Sequence, residues 1–202
     1  MNRIILIGGS PTAGKSFTAR KIAEFLKLPW ISTDTIREQM RQIVRKGDFS
    51  NLFSLSEATP QMAVDFLSSK SAKEIVKHQN SESLDVWEGV EALIKTDYVW
   101  GDFIVEGVAI LPHLVKKLQV KNKEIKAVFL IDDDIERIRK TIFTRGLWND
   151  ADKYPDDVKE KEVEWVLEFN RYIIRESRKY GFPVVKIGNR KDYLNRVKEL
   201  VK

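Results

Sequence analysis

Residues 3 to 18 read Arg-Ile-Ile-Leu-Ile-Gly-Gly-Ser-Pro-Thr-Ala-Gly-Lys-Ser-Phe-Thr, and the chain is laid out around them. The apolar run Ile4 to Ile7 is short and branched, as in a parallel strand buried on both faces. After it, Gly9, four residues, Gly14, Lys15 and Ser16 fill the spacing G-x-x-x-x-G-K-[ST], and Ser16 to Leu26 reads as a helix. A strand before and a helix after are what a phosphate-binding loop requires. Backbone N–H groups must wrap the phosphates, so Gly9 and Gly14 stand where the chain turns and side chains are unwelcome. The stretch Gly9-Ser10-Pro11-Thr12-Ala13-Gly14-Lys15-Ser16-Phe17 then presents a nucleotide's phosphates to a helix N-terminus, where negative charge is favoured. Lys15 can reach the β- and γ-phosphates, and the Ser16 hydroxyl can ligate Mg²⁺. The rival dinucleotide fingerprint G-x-G-x-x-G fails, because Pro11 stands where its second glycine belongs.

Composition narrows the class. The 202 residues suit one domain with an inserted subdomain. A formal charge of +5 fits an anionic ligand, and equally a weak attraction to nucleic acid. No zinc spacing, RNP-like aromatic motif or basic tail points to specific nucleic-acid recognition. The absence of cysteine excludes disulfides, thiolate catalysis and cysteine metal sites, and suits a reducing compartment. The sequence enters a strand without a signal peptide and holds no apolar run of membrane-spanning length, so a soluble, cytoplasmic protein is expected, monomer or homodimer.

Along the chain, Leu28 to Ser32 reads as a second buried strand. Thr35 and Glu38 have capping-box spacing, which predicts a helix from there to about Arg45. Residues 49 to 101 contain no strand-like run. Within them Thr59-Pro60 opens one helix, and Ser83 to Tyr98 forms another. The third strand is Phe103 to Val105, ending at Glu106-Gly107, and a short helix follows Pro112. Ile125 to Ile131 is the fourth strand, followed by Asp132-Asp133-Asp134 and a helix to Arg145. A polar loop spans 147 to 156, a long charged helix Asp157 to Lys179, a fifth strand Phe182 to Ile187, and a last helix Lys191 to Val201. Five short strands alternating with helices predict an α/β fold, a parallel sheet covered on both faces, with ligands at the C-terminal strand edge.

Several residues at that edge can carry chemistry. Asp34 follows the second strand and can accept the proton of an attacking hydroxyl; its bland alternative is a helix cap. Arg37, one turn on, can hold an acidic group of the acceptor. Glu106 ends the third strand, where a carboxylate orients Mg²⁺-bound water or bonds the acceptor. Arg145, with Arg137, Arg139, Arg171, Arg175 and Arg178 as lesser candidates, can neutralise charge as a lid closes. Asn189 and Arg190 follow the fifth strand and can lie beside the adenine. His78 and His113 are isolated and read as surface residues, and the five tryptophans as core or rim packing.

Taken together these pieces resemble the P-loop kinases of small molecules, the group of adenylate, shikimate and gluconate kinases, chloramphenicol phosphotransferase and zeta toxins. The resemblance implies the P-loop NTPase fold, with a core at 1–33, 102–136 and 157–202, a helical acceptor-binding insert at 34–101 and a lid at 137–156. It also implies ATP- and Mg²⁺-dependent transfer of the γ-phosphate to a hydroxyl or phosphate of a small-molecule acceptor. Within the group, Ser32-Thr33-Asp34-Thr35-Ile36-Arg37-Glu38-Gln39-Met40-Arg41 and Val105-Glu106-Gly107-Val108, with Leu111-Pro112, look like archaeal 2-phosphoglycerate kinase. That resemblance implies a phosphoglycerate-like acceptor near Asp34, Arg37 and Glu106; Ala109 departs from it, standing where the family has histidine. A nucleotide-dependent regulatory ATPase or switch module, and a polynucleotide-end kinase, are the alternatives.

Overall fold

The computed structural model describes residues 2–54, 58–96, 101–118, 123–147 and 151–202. The predicted strands form a single five-stranded sheet of β1 (Asn2–Gly9), β2 (Trp30–Ser32), β3 (Phe103–Glu106), β4 (Lys123–Ile131) and β5 (Val184–Lys186). They run in the order β2-β3-β1-β4-β5, and every pair is parallel.

The branched run of β1 alternates between two cores. Ile4 and Leu6 enter one with Phe103, Val105 and Phe129, while Ile5 and Ile7 enter the other with Ile104, Val128 and Leu130. An apolar residue is needed at every position because both faces are covered. On the second face lie α1 (Lys15–Leu26) and α8 (Arg190–Val201), through Ala19, Ile22, Tyr193 and Val197. On the first lie α2 (Thr33–Ile43), α4 (Ala72–Lys95), α5 (Pro112–Lys117) and α7 (Asp156–Tyr180), through Ile36, Val90, Leu114 and Phe169. A smaller cluster, Ile138 and Ile142 with Val163 and Val166, clamps α6 (Ile135–Arg145) to α7. The helix α3 (Pro60–Ser69) starts as predicted, with the Thr59 hydroxyl accepting from Met62 N–H and Pro60 in the first turn.

Three local readings need correcting. Strand β2 is an edge strand with Trp30 40% exposed, so its apolar run is not buried on both faces. The Thr35/Glu38 capping box does not form. Helix α2 begins at Thr33, and the Ser32 hydroxyl caps it by accepting from Asp34 N–H at 3.2 Å. Helix α4 starts eleven residues earlier than its predicted Ser83, at Ala72, where Ser71 and Glu74 make the capping box. The predicted end of that helix at Tyr98, together with Trp100, Trp148, Asn149 and Asp150, lies outside the described residues.

Register then fixes the ligand edge. Ile7 of β1, Glu106 of β3 and Ser32 of β2 stand in one row, so the phosphate loop, Glu106 and the start of α2 emerge side by side.

Candidate active site

The loop between β1 and α1 is built by close approach. A Cβ on Gly9 would come within 2.1 Å of the Leu130 carbonyl oxygen, and the residue has φ 140°, so only glycine passes β4 here. Thr12 and Gly14 are left-handed, with φ 63° and 69°. Changes of hand of this kind turn successive N–H groups toward one concavity, which is how a backbone nest grips an anion. Gly14 has no atom within 4 Å of an added Cβ, so its conformation and not crowding selects glycine. Lys15 folds back over the loop and donates from Nζ to the Ser10 carbonyl at 2.6 Å. Burial lowers its pKa, while Glu106 and Asp34 pull it back up.

Beside the loop opens a cavity of about 660 Å³ whose lining includes Lys15, Ser16, Asp34, Arg37, Glu106 and Arg145. Glu106 is 1% exposed. Burial raises its pKa above the ordinary 4.5, against the pull of Lys15 and the hydroxyls of Ser16 and Ser32. Its Oε1 has no hydrogen-bond partner among the described residues. Between 4.5 and the raised value the native chain holds this proton more tightly than the unfolded chain. Native stability therefore falls as pH rises through that window. Glu106→Gln removes the penalty, so the ligand-free variant is expected to melt above wild type at pH 7, with the gap closing as pH falls toward 4.5. Parallel melting curves across that range, measured by calorimetry, would refute this.

The wall facing the loop combines charge with an apolar patch. Arg37 donates to Glu38 at 3.1 Å and meets Asp34 at 3.2 Å. Burial works against the Arg37 charge, but Asp34, Glu82 and Glu38 outweigh it and raise its pKa. Arg41 is tied to Glu38 and Glu82, each at 2.8 Å, and to the Leu52 carbonyl. Below these lie Ala63, Phe66, Leu67 and Ile75. His78, expected at the surface, lines this cavity instead, with Ser54 Oγ at 3.1 Å and the Phe66 ring at 4.9 Å. Arg41, His78, Gln79, Glu82 and Trp165 are cavity residues that the sequence reading missed. For three of them the signal is the length of α4, which carries His78 and Gln79 one turn before Glu82.

The six arginines divide sharply. Arg145 reaches the cavity and donates to the Gly146 carbonyl at 3.2 Å, with no carboxylate partner among the described residues. Arg137 forms a fork with buried Asp132, and Arg139 ties α6 to α7 through Glu160. Arg171, Arg175 and Arg178 share a shallow surface depression on α7, away from the cavity. Asn189 caps α8 by accepting from Lys191 and Asp192 N–H groups and does not line the cavity. Arg190 lies over the Phe17 ring, 4.9 Å from its centre, and Phe17 does line it.

Among the described residues no group of three or more His, Asp or Glu side chains is placed to hold a metal unaided. A hard cation that keeps most of its ligands as phosphate and water needs less: one hydroxyl and one carboxylate nearby. Ser16 and the unpartnered oxygen of Glu106 fit that demand.

Sheet order, loop and helix N-terminus together define the P-loop NTPase fold. Two solved shikimate kinases share it. The one from Bacteroides thetaiotaomicron superposes with a TM-score of 0.58 at 14% identity, covering 99% of this chain and 98% of that one. The one from Acinetobacter baumannii, in complex with shikimate, gives 0.51 at 12%, covering 98% and 89%. No protein-family model matches the chain. In sequence it is similar to the 2-phosphoglycerate kinase of Methanothermobacter thermautotrophicus, 30% identical over 190 residues, covering 90% of this chain and 60% of the relative. That of Methanocaldococcus jannaschii is 29% identical over 184 residues, covering 90% and 57%. The chain thus spans 57–60% of the length of these curated relatives. Among the described residues no helix is long and apolar enough to cross a membrane.

Proposed function

We propose that the protein is a kinase transferring the γ-phosphate of ATP, with Mg²⁺, to a small-molecule acceptor. The observation that carries the reading is convergence: Lys15 with Ser16, Asp34, Glu106 and Arg145, from four places in the chain, line one cavity at the helix N-terminus. The loop amides and the Lys15 ammonium hold the β- and γ-phosphates, exchanging the Ser10 carbonyl for phosphate oxygen. Mg²⁺, held by Ser16 and the nucleotide, supplies charge neutralisation on the phosphate oxygens. The acceptor oxygen bonds to the γ-phosphorus as the bond to the ADP oxygen breaks, and the hydroxyl proton passes to Asp34. Glu106 orients the water around the cation or the acceptor itself. Arg145 neutralises charge gathering on the transferred group. Residues 34–101 then act as the acceptor-binding insert and 137–156 as the lid. Phe17 and Arg190 border the base.

The relatives' name makes a phosphoglycerate-like acid the first acceptor to try. Arg37 and Arg41 suit its anionic groups, and the patch of Ala63, Phe66, Leu67 and Ile75 its carbon skeleton. The test is a transfer screen with γ-labelled ATP against phosphoglycerates, sugar acids, nucleosides, nucleotides and amino-alcohols. Label on one small acceptor is expected. ATP hydrolysis without any labelled product, stimulated only by a macromolecular partner, would replace this reading by a switch module.

A further inference from the structure

Ser10 is fully buried, and every polar group it has is committed. Its N–H donates to the Leu130 carbonyl at 3.2 Å, and its carbonyl accepts Lys15 Nζ at 2.6 Å. Its hydroxyl donates to Asn170 Oδ1 of α7 at 2.6 Å. Asn170 is 4% exposed, and its Nδ2 donates to the backbone carbonyl of Asp132, just past β4. That carbonyl can only accept, so the amide end of Asn170 must face it and the Oδ1 end must face Ser10. The Asp132 carboxylate is in turn gripped by Arg137, which also reaches the Ile187 carbonyl after β5 at 3.2 Å. One unbroken line of hydrogen bonds therefore runs from the loop to the ends of β4 and β5.

We propose that Asn170 is a positioning residue for nucleotide binding, fixing the phosphate loop through the buried Ser10 hydroxyl against the end of β4. The proposal rests on the loop being a nucleotide-phosphate site. Pro11 and Thr12 at the loop's turn are only half-buried, so packing does little to hold them. A loop that must aim several N–H groups at one anion loses affinity when it samples other shapes, because ordering it then falls to the ligand. The tether makes that ordering a property of the free protein.

The test measures Mg²⁺ and a non-hydrolysable ATP analogue binding to wild type, Ser10→Ala, Asn170→Ala and the double variant, with Tm for each. Ser10→Ala keeps every loop amide and Lys15. Each single variant is expected to weaken binding about tenfold. The double variant should be no weaker than the worse single one, because both cut the same link. In transfer assays KM for ATP should rise while KM for the acceptor stays put. Variants that melt lower yet bind the analogue as wild type does would overturn the proposal, as would additive losses in the double variant. Ser10→Ala, the milder change, decides the matter if Asn170→Ala does not fold. Wild type that binds no analogue would overturn the nucleotide reading itself along with this one.

Discussion

Lys15→Ala is expected to reduce phosphoryl transfer by at least about a hundredfold. The ammonium already stands at the loop, 2.6 Å from the Ser10 carbonyl, in a partly buried place where Glu106 and Asp34 support its charge. A charge already held at the loop needs little reorganisation when it exchanges the Ser10 carbonyl for phosphate, and its partial burial strengthens its action relative to water. The charge that builds on the transferred group makes the loss fall on the transition state more than on binding. Lys15→Arg should not rescue activity, since a planar fork cannot take the place of a compact ammonium inside the loop. The fold should survive the change to alanine, because α1 is anchored by Ala19, Ile22 and Ala23, which Lys15 does not support. Rates and melting temperatures of the three proteins settle it. Undiminished transfer by Lys15→Ala would remove the mechanism.

How much of this was legible in the sequence follows from how local each signal is. The loop, β1 and α1 could be read because one short stretch holds the whole pattern, and a strand buried on both faces leaves no polar position. The start of α4 was lost in a polar run, Asn80-Ser81-Glu82-Ser83, that resembles a break. The helix runs through it because Ser81 and Ser83 return their hydroxyls to the carbonyls of Lys77 and Gln79, while Ser83 is buried. With α4 cut short, His78, Gln79 and Glu82 had no face to share, and the far wall of the cavity was invisible. Arg145 stands ahead of the other five arginines in the sequence reading, but what each of the six meets is not local information. Arg137 and Arg145 lie on the same helix and look alike in sequence, but one has buried Asp132 as its partner and the other opens onto the cavity. Asp132 stands only five residues before Arg137, but its burial and the opening beside Arg145 are decided by packing between distant segments. At α2 the Ser32 hydroxyl takes the cap that the Thr35/Glu38 spacing predicts, and the Asp34 side chain is left free of capping.

That freedom makes Asp34→Asn the second large effect to expect. The side chain is 62% exposed at the first turn of α2, and among the described residues its ion pair is with Arg37 at 3.2 Å. An exposed pair of this kind contributes no more than about 1 kcal/mol to stability, and a first-turn carboxylate on a helix adds about as much again. Asparagine keeps the shape, and Arg37 keeps Glu38, so the wall should stand with a melting temperature close to wild type. Transfer to the acceptor is a different matter. In a loose transition state the attacking hydroxyl keeps its proton until late, so the carboxylate works by aiming the oxygen and taking the proton as the new bond closes. The amide can do the first in part and the second not at all. A loss of about a hundredfold to a thousandfold in kcat follows, with binding of the ATP analogue unchanged. Asp34→Ala, which also removes the aim, should fall further and raise KM for the acceptor. If Asp34→Asn transfers phosphate at the wild-type rate, the proton leaves by another path and Asp34 is a wall residue; equal losses in nucleotide binding and in transfer would instead place it on the ATP side of the cavity.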